Sequence, residues 1–350
     1  MSRALKVGLI GYGVAGRLLH APLIHAAGGE ITAIVTSRAD DVRADFPAAQ
    51  VFETAEALCA SDVDLVVIVS PDHLHVAQAR LALAAGKHVV IDKPIASTSA
   101  EALALSEEAA ARGLMLSVFH NRRWDNDFLT VRKLVAGGAL GEIAHYAVRW
   151  DRYRPTLSGS WRDQHMLGEL YGLGSHLMDQ ALVLFGAPDW LWADVYKQRN
   201  GDGATDGFEI LMAKDKLRIS LAVSLLAADE VRSCRILGTQ AAFTKTGLDP
   251  QEERLRAREP VSDTLGVEPP EPWGVLTKGG SRETTRVPSE AGDWLGYYRA
   301  VFAAIANNAP PPVTGHDAGR TIALLEAATE SSRTGQRIDV ARWLTERQPR

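Results

Sequence analysis

One apolar run of the sequence ends on a charged pair followed by a proline. Residues 88–91 (HVVI) lead directly into Asp92, Lys93 and Pro94. A lysine at a strand end can polarise a carbonyl oxygen, or accept a hydroxyl proton if its pKa falls from the usual ~10.4. A dry cleft and a neighbouring cationic group would both lower that pKa. The residue types alone leave a catalytic Lys93 and a solvated strand end equally open.

A histidine and an aspartate form a second candidate group. His176 and Asp179 lie in GSHLMDQALVLFG, where Leu177, Ala181 and Leu184 have the spacing of a helical core stripe. Residues three or four apart share one face of a helix. His176 and Asp179 could therefore bind substrate hydroxyl groups and relay a proton. A solvated polar face is the simpler interpretation of the same spacing.

Glycines recur in KVGLIGYGVAG, between a β-branched run and a helix-like segment. Gly11, Gly13 and Gly16 have the Gly-x-Gly-x-x-Gly spacing, with Tyr12 and Val14 between them. Between the first strand and first helix of a βαβ unit, this spacing is typical of a dinucleotide-binding loop. The glycines allow a tight turn and a close approach of a pyrophosphate to the helix N-terminus. A plain glycine-rich turn is the alternative.

The end of the second predicted strand indicates which dinucleotide is bound. NAD-binding loops usually have an acidic residue there, but Glu30 precedes the run ITAIVT instead of following it. The run continues into Thr36, Ser37 and Arg38. A guanidinium and hydroxyl groups suit a 2′-phosphate. The sequence therefore predicts NADP(H), with a solvated arginine as the alternative.

Further candidates follow the other runs of the first half. Ser70, Pro71 and His75 in SPDHLH should line the nicotinamide side of the cleft, and Asn121 should touch cofactor or substrate. His73 and His75 have a His-x-His spacing. Without a third ligand nearby, such histidines are more often hydrogen-bond donors, so no metal is predicted.

A polar and aromatic segment in the second half is a candidate for a sugar-binding wall. It contains Tyr153, Arg154, Trp161 and Arg162. Simple surface is an equally good interpretation of these residues.

The elements that must position these residues differ between the two halves. β-Branched runs alternate with Ala- and Leu-rich helical segments over residues 1–121, which indicates a doubly wound parallel sheet. Residues 122–350 have a helix at 125–136, alternating strands at 143–153, 191–198, 207–212 and 217–225, and a helix at 317–333. The charged segment 249–285 is interpreted as a surface excursion. We predict a Rossmann domain (1–121) and an α+β domain with a mostly antiparallel, open-faced sheet (122–350).

Composition limits the function classes. The net charge of −5 gives no indication of nucleic-acid binding. The longest apolar run is too short to cross a membrane, and two cysteines without a motif fit a reducing compartment. A soluble, cytoplasmic protein is expected. An alternating sheet with one free face predicts a homodimer or higher homo-oligomer.

Four segments in this order resemble the Gfo/Idh/MocA oxidoreductases: GLIGYGVAG, IDKPIA, HNRRWDNDFLTVRKL and GLGSHLMDQALVLFG. TSR, HNRRWDNDF, YRP and SHLMDQ resemble the NADP-dependent scyllo-inositol dehydrogenases within that family. The resemblance implies a hydride transfer between NADP(H) and a cyclic polyol or sugar. It also implies that a lysine hydrogen-bonds the reacting oxygen. The rival expectations are another sugar substrate and a non-catalytic NADP-sensing regulator.

The resemblance assigns roles to residues of this chain and also shows departures. Asp92 stands where the family usually has Glu, Val183 where many inositol dehydrogenases have a second His, and Gly172 where relatives often have Asp. The expected catalytic residues are Lys93, His176 and Asp179. The expected substrate-binding residues are Lys93, Asn121, Tyr153, His176 and Asp179. The expected cofactor-binding residues are Gly11, Tyr12, Gly13, Val14, Gly16, Thr36, Ser37, Arg38, Ser70, Pro71, His75, Lys93 and Asn121.

Overall fold

The structure is a computed structural model that describes residues 3–157 and 168–347. Its first sheet has six parallel strands in the order β3-β2-β1-β4-β5-β6. This is the strand order of dinucleotide-binding doubly wound sheets. The central strands are buried on both faces, which explains their continuous apolar runs. The strands are β1 (Lys6–Ile10), β2 (Glu30–Val35), β3 (Gln50–Phe52), β4 (Leu65–Ile68), β5 (His88–Asp92) and β6 (Leu116–Phe119).

Helices cover both faces of this sheet. The helix after the glycine loop begins with a π-helical turn at Gly16–His20 and continues as α1. The fifth helix begins with a capping box, in which Thr98 and Glu101 bind each other's backbone N–H groups. The helices are α1 (Ala21–Ala26), α2 (Ala39–Asp45), α3 (Ala55–Cys59), α4 (His75–Ala84) and α5 (Ser99–Ala111). The predicted Rossmann architecture is confirmed.

The second sheet is mostly antiparallel. Within the described ranges it has nine strands in the order β14-β13-β12-β11-β7-β10-β9-β8-β15, and β7 and β10 form its parallel pair. The strands are β7 (Ile143–Trp150), β8 (Trp190–Tyr196), β9 (Gly207–Lys214), β10 (Leu217–Ser224), β11 (Arg232–Gly238), β12 (Ala241–Thr246), β13 (Gly274–Lys278), β14 (Thr284–Val287) and β15 (Ile338–Asp339). The predicted sheet type is confirmed.

One face of the second sheet is covered and the other is open. Along β9, Phe208, Ile210 and Met212 are buried, whereas Leu211 points away from the helices and is 45% exposed. The helices of this half are α6 (Asn126–Ala136), α7 (Glu169–Gly172), α8 (Gly174–Phe185), α9 (Gln251–Arg256), α10 (Trp294–Asn307), α11 (Gly315–Thr334) and α12 (Val340–Glu346). Of these, α8 and α11 pack on the buried face.

The interpretation of residues 249–285 as a surface excursion is wrong. The segment contains α9, β13 and the start of β14. It is anchored by a buried ion pair in which Lys245 Nζ lies 2.6 Å from Glu268 Oε1, and by the buried side chains of Leu255 and Leu265. The two strands were not predicted because they carry Gly, Thr, Lys and Arg instead of an apolar run, and β14 lies at the edge of the sheet.

Candidate active site

Two neighbouring strands of the first sheet bring their end residues together. Asp92 is paired with Phe119 in the parallel register of β5 and β6, so Lys93 and His120 are the next residues along these two strands. Carboxyl ends of parallel strands form the ligand crevice of such sheets. The DKP stretch is therefore at the edge where the chemistry of this fold occurs.

Lys93 is partly buried and reaches the second half of the chain. Its Nζ donates a hydrogen bond to the carbonyl oxygen of Gly172, at 2.7 Å, at the last residue of α7. Burial lowers the pKa of the Lys93 amine, the carboxylates of Asp92 and Glu169 oppose this, and Arg122 adds to the lowering. The net direction is downward, towards a pKa at which the free amine can act as a base.

The Asp92 carboxylate contacts the backbone of the lysine and lies near a histidine. Its Oδ1 accepts from the backbone N–H of Lys93 at 2.8 Å and lies 3.8 Å from Nε2 of His20. Burial opposes the charged carboxylate, but His20, Lys93 and His75 outweigh it and lower the pKa of Asp92. The Lys93–Pro94 peptide bond is cis.

His176 is a buried imidazole on α8. Its ring centroid lies 6.3 Å from both the Trp150 ring and the His120 ring, and its Nδ1 has no hydrogen-bond partner among the described residues. Burial lowers the pKa of His176 well below its usual value, and the nearby charges of Lys93 and Arg122 lower it further. The imidazole is therefore neutral at physiological pH.

Asp179 is held by an arginine that the sequence interpretation did not single out. Arg123 Nε donates to Asp179 Oδ2 at 2.8 Å, and its Nη2 donates to Oδ1 at 2.7 Å. Burial raises the pKa of Asp179, but His120 and Arg123 lower it, and the net direction is downward. The two adjacent arginines of NRRW could have indicated this contact, because a buried carboxylate needs a partner such as an arginine that binds both of its oxygens.

The glycine loop fits the close approach of a dinucleotide. A Cβ at Gly11, whose φ is +104°, would lie 2.7 Å from the carbonyl oxygen of Val69, and one at Gly16 would lie 2.3 Å from the Gly11 oxygen. A Cβ at Gly13 would have no neighbour within 4 Å. Gly11 and Gly16 are thus needed for backbone packing, whereas Gly13 leaves open space above the loop. Close backbone packing and open space for the ligand are both features of the glycines in a pyrophosphate loop.

The side chains between these glycines point in different directions. The Tyr12 side chain is buried, and its hydroxyl donates to Asp45 Oδ2 at 3.0 Å, so only its backbone can face a cofactor. Arg17 Nε donates to the same oxygen at 2.6 Å. Val14 is 45% exposed beside the loop.

The end of β2 has the polar residues that the sequence predicts. Thr36 Oγ1 accepts from the backbone N–H of Arg38 at 3.0 Å, and the side chains of Ser37 and Arg38 are exposed. Glu30 pairs with Lys6 at the opposite end of the strand. Its carboxylate is therefore at the wrong end to bind a ribose.

His75 joins the loop after β4 to the DKP stretch. Its Nδ1 lies 2.8 Å from the carbonyl oxygen of Pro94, and its Nε2 lies 2.8 Å from that of Ser70. Ser70 Oγ donates to Gln78, while the His73 side chain is exposed beside Asp72. Within residues 3–157 and 168–347, no three His, Cys, Asp or Glu side chains are grouped closely enough to hold a metal ion.

The remaining candidates are less closely connected to this cluster. Asn121 is buried directly after His120. Tyr153 is half exposed, and its backbone N–H donates to Glu230 Oε1 at 2.9 Å. Trp161 and Arg162 lie outside the described residues.

Both halves of the chain match a known oxidoreductase family. Residues 5–120 match the family described as "Oxidoreductase family, NAD-binding Rossmann fold". Residues 132–340 match the companion family, "Oxidoreductase family, C-terminal alpha/beta domain". No helix in the described part of the chain is both long and apolar enough to cross a membrane.

Named relatives and a solved structure match nearly the whole chain. It is 39% identical over 341 residues, 95% of each chain, to scyllo-inositol 2-dehydrogenase (NADP(+)) IolW of Bacillus subtilis (strain 168). It is 38% identical over 345 residues to the uncharacterized oxidoreductase YdgJ of Escherichia coli (strain K12), covering 95% of this chain and 98% of that protein. The solved structure of the oxidoreductase yvaA from Bacillus subtilis superposes with a TM-score of 0.93 at 38% identity, over 97% of this chain and 99% of that one. The chain therefore belongs to the Gfo/Idh/MocA family of oxidoreductases.

Proposed function

We propose that this oxidoreductase uses NADP(H) to interconvert a cyclic polyol or sugar carbinol with its ketone, with scyllo-inositol and scyllo-inosose as the substrate pair. The observation that carries the proposal is the position of Lys93. Its amine stands at the carboxyl end of β5, is bound to the Gly172 carbonyl, and has a lowered pKa. His176 and the Asp179–Arg123 ion pair complete the group.

The side chains of the site have two different roles in the reaction, proton transfer and substrate orientation. A bound nicotinamide would exchange a hydride with the carbinol carbon, which leaves the hydroxyl proton to the protein. We assign Lys93 to take that proton during oxidation and to return it during reduction. The neutral imidazole of His176 and the ionised carboxylate of Asp179 orient the substrate by accepting its hydroxyl hydrogen bonds.

The preference for NADP(H) rests on the end of β2. Thr36, Ser37 and Arg38 offer hydroxyl groups and an exposed guanidinium, and the carboxylate of Glu30 is at the other end of the strand. The name of the Bacillus subtilis relative IolW includes NADP(+), which supports the same cofactor. Gly11, Gly13 and Gly16 would hold the pyrophosphate, as described above.

The polyol substrate is supported by the relative's name and by the chemistry of the site. IolW is named for scyllo-inositol, and the site pairs a lysine with hydrogen-bond acceptors suited to hydroxyl groups. A different sugar on the same site is the second candidate, favoured by the Val183 and Gly172 departures. A non-catalytic NADP sensor is disfavoured, because a sensor needs no buried lysine of lowered pKa.

One screen tests the substrate and separates these candidates. NADP⁺ reduction is followed by the absorbance of NADPH across cyclitols and aldoses, with Lys93→Ala as the inactive control. We expect scyllo-inositol to be oxidised fastest. Faster oxidation of an aldose would move the assignment to the second candidate, and NADPH binding without turnover of any polyol would contradict the proposal.

Three broader properties belong to the same proposal. We assign residues 1–121 to cofactor binding and 122–350 to substrate binding and oligomerisation, since the two sheets divide there. The two cysteines, Cys59 and Cys234, are free and buried, which supports a reducing, cytoplasmic location. The open face of the second sheet supports a homodimer.

A further inference from the structure

A second imidazole of the site comes from the first sheet. His120 directly follows β6, and the register of β5 with β6 places it beside Lys93. Within HNRRW the sequence predicts a site role for Asn121 and not for the histidine before it. Position 183, where a second histidine is common in inositol dehydrogenases, is Val183 here, and its side chain is 38% exposed on α8.

The His120 ring is buried and faces His176 edge-on. The His120 side chain is 2% exposed, and the two ring planes meet at 86° with their centroids 6.3 Å apart. Its Nδ1 has no hydrogen-bond partner within the described ranges. A buried polar atom without a partner is costly, and such atoms are rare outside functional sites.

Charged and titratable groups face His120 from every element that packs around it. They are Lys93 after β5, Asp179 and His176 on α8, Arg123 in the turn after β6, and Asp317 on α11. Burial lowers the pKa of His120, the carboxylates of Asp179 and Asp317 oppose this, and Arg123 and Lys93 lower it further. The net direction is downward, so the resting imidazole is neutral, and one of its ring nitrogens has a free lone pair.

We propose that His120 accepts the proton that Lys93 takes from the reacting hydroxyl, and so supplies from the Rossmann side the imidazole absent at position 183. This inference rests on the proposed function. During oxidation the O–H bond breaks and the proton binds the Lys93 amine, which becomes an ammonium. An N–H bond of that ammonium then breaks, and the proton binds a ring nitrogen of His120. Lys93 returns to the free amine, and the imidazolium loses its proton to water on product release. Reduction runs the same transfers in reverse.

The kinetic test replaces the imidazole without removing its polarity. His120→Gln keeps hydrogen-bonding groups but cannot exchange a proton near neutral pH. We expect kcat for polyol oxidation to fall about 100-fold, the lower end for a positioned acid–base group. NADPH affinity, measured by fluorescence titration, should stay within about twofold, because the glycine loop is untouched. His25→Gln, on the exposed side of α1, is the matched control and should retain full turnover.

A second measurement needs neither substrate nor turnover. In ¹⁵N-histidine NMR of the free protein, Lys93→Ala removes the amine whose ammonium form repels a proton on His120, so the His120 pKa should rise. An unchanged His120 titration, or full turnover in a folded His120→Gln variant, would overturn the relay. If His120→Gln does not fold, the NMR comparison decides alone. Failure of every polyol in the wild-type screen would instead contradict the proposed function. The NMR result would be unaffected, because that measurement needs no substrate.

Discussion

At the scale of single residues, the Lys93 amine is bound to an acceptor without formal charge. The Gly172 carbonyl carries only a partial negative charge, and it stabilises an ammonium less than a carboxylate would. Burial lowers the pKa of Lys93, and the uncharged Gly172 acceptor opposes that lowering less than a carboxylate would. The presence of Gly172, where relatives often have Asp, should therefore affect the pKa of Lys93.

A charge introduced at position 172 should change the pH dependence. Gly172→Asp places a carboxylate beside the ammonium, which raises the pKa of Lys93. The amine form then appears only at higher pH, so the rise of the oxidation rate with pH should move upward by about one unit. The profile of kcat/KM against pH measures the shift.

The matched control is Gly172→Asn, which has the same shape and no charge. A Cβ at this position would lie 3.4 Å from Glu169 Oε2, an ordinary contact that both side chains can make. An equal shift in the Asn and Asp variants would show that shape, and not charge, controls the lysine.

The Arg38 guanidinium offers a test of the cofactor. Arg38→Ala should weaken NADPH binding by about 1.5–3 kcal/mol, the range for a charge-assisted hydrogen bond. NADH has no 2′-phosphate, so its affinity should barely change. Titrations with both dinucleotides compare the two losses, and equal losses would reject the 2′-phosphate assignment.

At the scale of elements, two glycines of the loop should have different roles, with Gly13 needed for binding and Gly16 for folding. Gly13→Ala puts a methyl group into open space, so the protein should keep its thermal stability while the pyrophosphate is blocked. Gly16→Ala puts a methyl group 2.3 Å from the Gly11 carbonyl oxygen, and should reduce the free energy of unfolding by about 1–3 kcal/mol.

Thermal melts and NADPH titrations on the two variants together test this division. The expected pattern is a stable, non-binding Gly13→Ala and a less stable Gly16→Ala. A Gly13→Ala variant that binds NADPH normally would contradict the role assigned to the loop.

The elements also show what the sequence could and could not predict. Continuous apolar runs identified the buried parallel strands, and their end residues identified Lys93 without any coordinates. The Arg123–Asp179 pair could not be found this way, because its partners are 56 residues apart and meet only through packing of α8 against the turn after β6. β13 was missed because only one face of the second sheet is covered, so its short sequence GVLTK shows no continuous apolar run.

At the scale of the whole molecule, several contacts tie the two sheets together around the cofactor loop. Arg258 Nη1 lies 3.2 Å from Asp45 Oδ1, the carboxylate that also binds Tyr12 and Arg17. His20 Nδ1 lies 2.6 Å from the Tyr298 hydroxyl on α10. The segment after β12 thus contacts the glycine-loop helix, and we expect the crevice between the sheets to be well defined before any ligand binds.

The open face of the second sheet leads to a prediction about assembly. Leu211 is exposed on this face and pairs across the strands with Trp192 of β8 and Ser220 of β10. Leu211→Glu should convert the proposed dimer to monomers, because like charges from two copies would meet in an apolar contact. Sedimentation at micromolar concentration measures the change, with Lys216→Glu in the exposed β9–β10 turn as control. A wild-type monomer would reject the dimer.

The hydrogen bond from Lys93 to Gly172 also affects how such enzymes can diversify by recombination. The donor comes from the cofactor-binding half, and the acceptor is a main-chain oxygen of the other half. Every amino acid at position 172 supplies that oxygen, so no point substitution deletes it. A chimera of residues 1–121 with the second half of a relative would keep the lysine's orientation while it exchanged the side chains around the substrate. Substrate range could thereby change while the lysine keeps its main-chain partner.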